Sequence, residues 1–138
     1  MQAGNKGKTI DMMHAEWLPI VMQGSFSEIY VIDCGTLRFV QVNQAACENL
    51  QFDESDLLGK TPVDIARNLT VETLGLVLQP LRDGHATQAT LETTQMRRDG
   101  SIYPIEYHFF YCLSPTEPVF IAIGNDVSAR YEAAKALR

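Results

Sequence analysis

Apolar and polar positions fall into three successive patterns along the chain. From Glu28 the order is that of short strands: Ile29-Tyr30-Val31-Ile32, a turn at Asp33-Cys34-Gly35, then Phe39-Val40-Gln41-Val42, which together predict a hairpin. The period then lengthens. Asn43 stands where a helix cap is wanted, with Ala46, Cys47 and Leu50 behind it at helical spacing. Asp53 and Asp56 form a capping-box-like pair at the head of a short helical turn that Gly59 closes. Thr70, with Glu72 in the first turn, opens a longer helix in which Val71, Leu74, Leu78 and Leu81 share one face. Pro80 lacks an amide donor and crowds the preceding turn, so a kink or an early end is expected there, before the Gly84 stop.

The third pattern is strand again: Ala89 to Arg97, an Asp99-Gly100 turn, Ile102 to Leu113, and Val119 to Ile123 after a loop holding Pro115 and Pro118. In the long strand Tyr103, Ile105, Tyr107, Phe109, Tyr111 and Leu113 take one face, while Ile102, Glu106, His108, Phe110 and Cys112 take the other. Two strands, several short helices and three strands imply an α+β domain with one antiparallel sheet covered by helices. Ser128 is placed to cap a last helix through Tyr131, Ala134 and Leu137. Val127, Tyr131, Ala134 and Arg138 give it the beginning of a seam under two heptads long. At the other end, Met1 to about Ile10 reads as a loose terminus, and residues 11–26 as a flanking helix capped by Asp11 and carrying Met12, Met13, Trp17 and Leu18.

Composition narrows the function. The chain has 138 residues, 46% hydrophobic and 20% charged, which suits one domain with its own core. A formal charge of −6, with Arg97-Arg98 as the one adjacent basic pair, argues against nucleic acid as a partner. No apolar run approaches the roughly 20 residues that span a bilayer, so direct membrane contact is not expected and a cytoplasmic setting is. Cys34, Cys47 and Cys112 are three, far apart, and read as buried thiols. His14, His85 and His108 have no metal-ligand spacing, and no metal is expected. No nucleophile elbow or phosphate loop is present, so the chain is not expected to be an enzyme.

Four local motifs, in order, carry a resemblance: Phe39-Val40-Gln41-Val42-Asn43-Gln44-Ala45-Ala46; Leu57-Leu58-Gly59-Lys60-Thr61-Pro62; Arg97-Arg98-Asp99-Gly100-Ser101-Ile102-Tyr103-Pro104-Ile105-Glu106; and Gly124-Asn125-Asp126-Val127-Ser128-Ala129-Arg130. Over residues 27–126 the chain resembles a PAS domain, with residues 127–138 as the start of a C-terminal signalling helix. The resemblance implies a five-stranded antiparallel sheet with short helices on one face. It also implies a cavity between them that holds Tyr30, Ile32, Leu91, Thr93, Gln95, Ile105, Tyr107, Phe109, Ala122 and Gly124, under a lid of Ile65, Leu74 and Leu78. Such a lining suits a small molecule, and a closed core gives the same pattern.

The resemblance further implies a sensory domain of a histidine kinase, a cyclic-dinucleotide enzyme such as a diguanylate cyclase, or a chemoreceptor. In it, Asp126 and Ser128 pass a change in the sheet to the following helix and a linked effector domain. The alternatives are a ligand-free dimerisation module, with a homodimer as partner, and, with less support, a small α+β enzyme. The cofactor is unknown. Pro62 stands where the family's flavin-binding members carry a reactive cysteine, and Thr70 to Asp83 holds no histidine for haem, with His85 just beyond in a turn.

Overall fold

The computed structural model describes residues 10–11, 25–113 and 117–136. The elements are β1 (Ile10–Asp11), β2 (Glu28–Asp33), β3 (Phe39–Val42), α1 (Gln44–Leu50), α2 (Glu54–Leu57), α3 (Pro62–Ile65), α4 (Val71–Arg82), β4 (Ala89–Met96), β5 (Ile102–Leu113), β6 (Val119–Asp126) and α5 (Ser128–Ala136). The five longer strands form one antiparallel sheet in the order β3-β2-β6-β5-β4. β1 adds two residues parallel to β5, pairing Ile10 with Cys112 and Asp11 with Leu113. Asp11 therefore lies in a strand, residues 12–24 of the predicted flanking helix fall outside the described residues, and residues 25–26 are not helical.

Local chemistry sets the short elements. Asp33 Oδ2 accepts from the amides of Gly35 at 3.0 Å and Thr36 at 2.7 Å, which shapes the β2–β3 turn. Asn43 Oδ1 accepts from Ala46 N at 3.1 Å to start α1, and from Ile29 N at 2.9 Å to tie that start to β2. Asp53 N donates to Asp56 Oδ2 at 3.2 Å as expected, and Gly59 follows α2 at φ 89°. α3 is an element the apolar periodicity did not show. Its four residues stand on Thr61 N donating to Asp64 Oδ2 at 2.9 Å, with Pro62 in the first turn, where its missing amide costs nothing.

α4 begins where expected, with Thr70 Oγ1 accepting from Thr73 N at 3.1 Å. It buries Leu74, Leu78 and Leu81, but Val71 is 66% exposed and not part of that face. The helix also runs through Pro80 to Arg82 instead of ending at it. The carbonyl that Pro80 leaves unpaired belongs to Leu76, which is 77% exposed, so water can satisfy it.

The sheet is apolar on both faces. Its inner face meets α1 to α4 in the main core, which includes Tyr30, Ile32, Phe39, Leu50, Leu74, Leu78, Ile105, Phe109 and Phe120. A second cluster on the opposite face gathers Ile29, Val31, Cys112, Val119 and Ile121. Cys34 and Cys112 are buried thiols, Cys47 is half-buried, and burial pushes the Cys34 thiol up to about 11.

Candidate functional site

The sequence-derived positions converge on the inner face of the sheet. Tyr30, Ile32, Ile65, Leu74, Leu78, Gln95, Ile105, Tyr107 and Phe109 are all buried there. Leu91 and Ala122 belong to the same core. Aromatic side chains pack closely among them. Tyr30 lies 4.7 Å from Phe39 and 6.0 Å from Tyr107 between ring centroids, and Tyr107 stacks on Phe109 at 5.5 Å. Gly124 sits under this layer, where a Cβ would stand 2.7 Å from Ile105 Cδ1 and 2.8 Å from Tyr107 Cε1. Gly124→Ala is therefore expected to destabilise the domain by about 1–3 kcal/mol through overpacking. Thermal denaturation measures it, and an unchanged melting temperature would show that the aromatic layer has room to give.

At one end of this interior lies a polar cluster centred on a residue the alternation argument had omitted. Glu28, 1% exposed, points inward from the first position of β2. Its Oε1 accepts from Tyr30 Oη at 2.6 Å and Gln95 Nε2 at 3.1 Å. Its Oε2 accepts from Tyr103 Oη at 2.7 Å and Asn49 Nδ2 at 2.9 Å. Gln95 Nε2 also donates to Tyr103 Oη at 2.7 Å, and Tyr107 Oη donates to Gln95 Oε1. The parity signal was present in the sequence, since Glu28, Tyr30 and Ile32 are two apart and share a face.

Burial dominates the electrostatics. It raises the Glu28 carboxyl above the ordinary glutamate value, opposed by the hydrogen bonds from Tyr30, Asn49, Tyr103 and Gln95. Burial first, and then neighbouring negative charge, push Tyr30, Tyr103 and Tyr107 well above the usual phenol range. These groups stay protonated as donors at neutral pH. Among the described residues no buried side-chain polar atom lacks a hydrogen-bond partner.

A line of contacts leaves this cluster. The Arg97 guanidinium stacks over the Tyr103 ring at 4.3 Å, donates to Asn49 O at 3.0 Å and pairs with Asp126 at 3.9 Å. Asp126 Oδ1 in turn accepts from Ser128 N at 2.8 Å. This corrects the reading of Ser128 as the cap: Ser128 is the first residue of α5, and the Asp126 carboxylate satisfies its amide. Val127, between them, is buried and donates to Pro104 O at 3.1 Å.

α5 folds back over the outer side of β4 and β5. Arg130 reaches Glu92 at 3.7 Å and Glu106 at 3.6 Å, and Tyr131 Oη donates to Glu92. No residue of α5 is buried. A cleft of about 690 Å³ opens between helix and strands, lined by Glu92, Thr94, Pro104, Ser128, Tyr131 and Lys135 among others. His85 is exposed after Gly84, and His108 is on the outer face 3.7 Å from Glu106. Among the described residues no group of three or more His, Cys, Asp or Glu side chains is placed to hold a metal. No helix among them is long and apolar enough to cross a membrane.

Comparison with known proteins bears on the fold. The PAS domain family model matches residues 27–129. The PAS domain of an HTR-like protein from Haloarcula marismortui is 26% identical, aligned over 83% of this chain and 98% of that one, with a TM-score of 0.67. The PAS domain of nitrogen regulation protein NR(II) from Vibrio parahaemolyticus is 16% identical over 79% and 97% of the two chains, TM-score 0.63. A PAS domain from a two-component sensor histidine kinase is 14% identical over 83% and 97%, TM-score 0.63. No curated protein sequence matches the chain.

Proposed function

The chain belongs to the PAS domain family, and from that premise we propose that it is the sensory module of a larger signalling protein, relaying a change on the inner face of its sheet to α5 without catalysing a reaction. The observation that carries this reading is the unbroken line from Glu28 through Tyr103 and Arg97 to Asp126 and the amide of Ser128. The receiving helix is lightly held. Its ties to Glu92 and Glu106 are the Arg130 ion pairs, a class worth about 0–1 kcal/mol each, and one exposed hydrogen bond from Tyr131, so a modest bias from the interior is enough to redistribute it.

A small ligand lodged between sheet and helices is the input in this reading, entering the hydrogen bond that Tyr107 donates to Gln95. A linked effector domain would follow α5. The close packing over Gly124 favours a second reading, in which the domain works without a resident ligand and pairs with a second copy. Mass spectrometry of freshly purified, denatured protein separates the two. A stoichiometric small molecule supports the first, and a clean protein that still dimerises supports the second.

The relay itself is tested by Tyr107→Phe, which removes one buried hydrogen bond on the inner face. Backbone amide resonances of Ser128 to Ala136 are expected to move in this variant. If the changes stop at the interior, the relay reading is wrong.

A further inference from the structure

We propose that Glu28 is a proton-operated switch: its carboxyl takes up a proton from solvent, and the altered hydrogen bonding at Tyr103 is passed by Arg97 to Asp126 and the start of α5. The inference rests on the relay reading and adds an input that needs no resident ligand.

The geometry of the cluster is that of an ionised acid. Four donors converge on the two Glu28 oxygens, two on each, so the carboxylate is fully satisfied and has no place for a proton of its own. The groups facing it are Tyr30 from its own strand, Asn49 from α1, Gln95 from β4, and Tyr103 and Tyr107 from β5. β6 presents only Gly124 opposite Glu28, and β3 pairs with β2 from Tyr30 onward through Val42, Gln41 and Phe39. Arg97 brings the cluster's positive charge, placed over the Tyr103 ring.

A protonated Glu28 becomes a donor, and each neighbour now facing it also donates. One phenol must turn and accept. Tyr103 is suited to this, because its oxygen already accepts from Gln95 Nε2 at 2.7 Å and keeps a second lone pair. A short charge-assisted bond is then replaced by a longer neutral one of reversed direction, and the Tyr103 ring is free to shift beneath Arg97. Arg97 also holds Asn49 O and Asp126, so the ring cannot move without disturbing the group that caps α5. Asn49 is partly exposed, which gives the proton a short route from solvent.

The sign follows from burial. A carboxyl whose folded value is raised contributes stability below the ordinary glutamate value, and that contribution is lost as the pH rises through the folded value.

The test is a carbon-detected NMR titration of side-chain carboxyls in the full chain, with the Glu28 signal assigned by its loss in Glu28→Gln. Glu28 is expected to titrate with a midpoint above the ordinary value of about 4.3, and the amides of Ser128 to Arg130 to show a component with that same midpoint. In Arg97→Ala the Glu28 titration should persist while that component disappears from α5. A Glu28 midpoint in the ordinary range overturns the proposal, and so does a raised midpoint that the α5 amides do not share. If Glu28→Gln does not fold, selective glutamate labelling of the unaltered protein decides the point. Should Tyr107→Phe move α5 while the Glu28 titration does not, the relay stands and only the proton input falls.

Discussion

Glu28→Ala is expected to lower the stability of the domain by several kcal/mol, since each buried donor left without an acceptor costs about 1–3 kcal/mol. Removing the carboxylate relieves its own burial, which by itself favours folding. The larger consequence is that the hydroxyls of Tyr30 and Tyr103 and the amides of Asn49 and Gln95 lose their shared acceptor together. Urea denaturation near neutral pH measures the loss. Glu28→Gln keeps the shape and one acceptor oxygen, so it should cost clearly less than the alanine. Equal losses in the two variants would mean that volume, and not the convergence of donors, is what Glu28 supplies.

Leu78→Ala, in the helix that closes the inner face, is expected to cost about 3–5 kcal/mol, the lost transfer energy of the side chain plus the cavity left behind. Leu78 is fully buried and packs in the same core as Ile105 and Phe109. Leu76, two residues earlier on the exposed side of the same helix, supplies the control. Leu76→Ala should stay within about 0.5 kcal/mol of the unaltered protein. If the two substitutions cost the same, α4 does not sit on the sheet as described.

Much of this architecture was legible because strand alternation and helix caps are local signals. Odd-numbered residues of β5 and even-numbered residues of β2 and β6 turn inward; alternation separates the two faces of each strand, and the family resemblance marks the one holding Tyr30, Tyr107 and Phe109 as the inner. Asn43, Asp53 and Thr70 announce helix starts through the short polar side chains that caps require. Illegibility had specific causes. A glutamate opening a strand reads as a solvated end, because only the distant Tyr103 and Gln95 make its burial tolerable. Arg97 reads as a turn cation beside Arg98 until the hairpin folds it onto the Tyr103 ring. α3 has too few residues for any period to appear, although Thr61 and Asp64 carry its capping pair. At Pro80 the helix continues to Arg82, and the carbonyl left without a donor belongs to the exposed Leu76 near the helix end. In α5, a capping serine and a capping aspartate two residues earlier look alike in sequence, and Asp126 fills the role.

The second apolar cluster gives β6 an unusual mechanical position. The strand is bonded to β2 along one edge and β5 along the other, and it is buried from Val119 to Ala122 with contacts on both faces. It is therefore braced in every transverse direction, like a rod held in a clamp, and ends at the exposed Asn125 and Asp126, beyond which the buried Val127 leads into a helix with no buried residue. A displacement imposed near Gly124 has little room to dissipate sideways. In the proposed relay, that exit is where a small internal movement would become a change in the angle of α5.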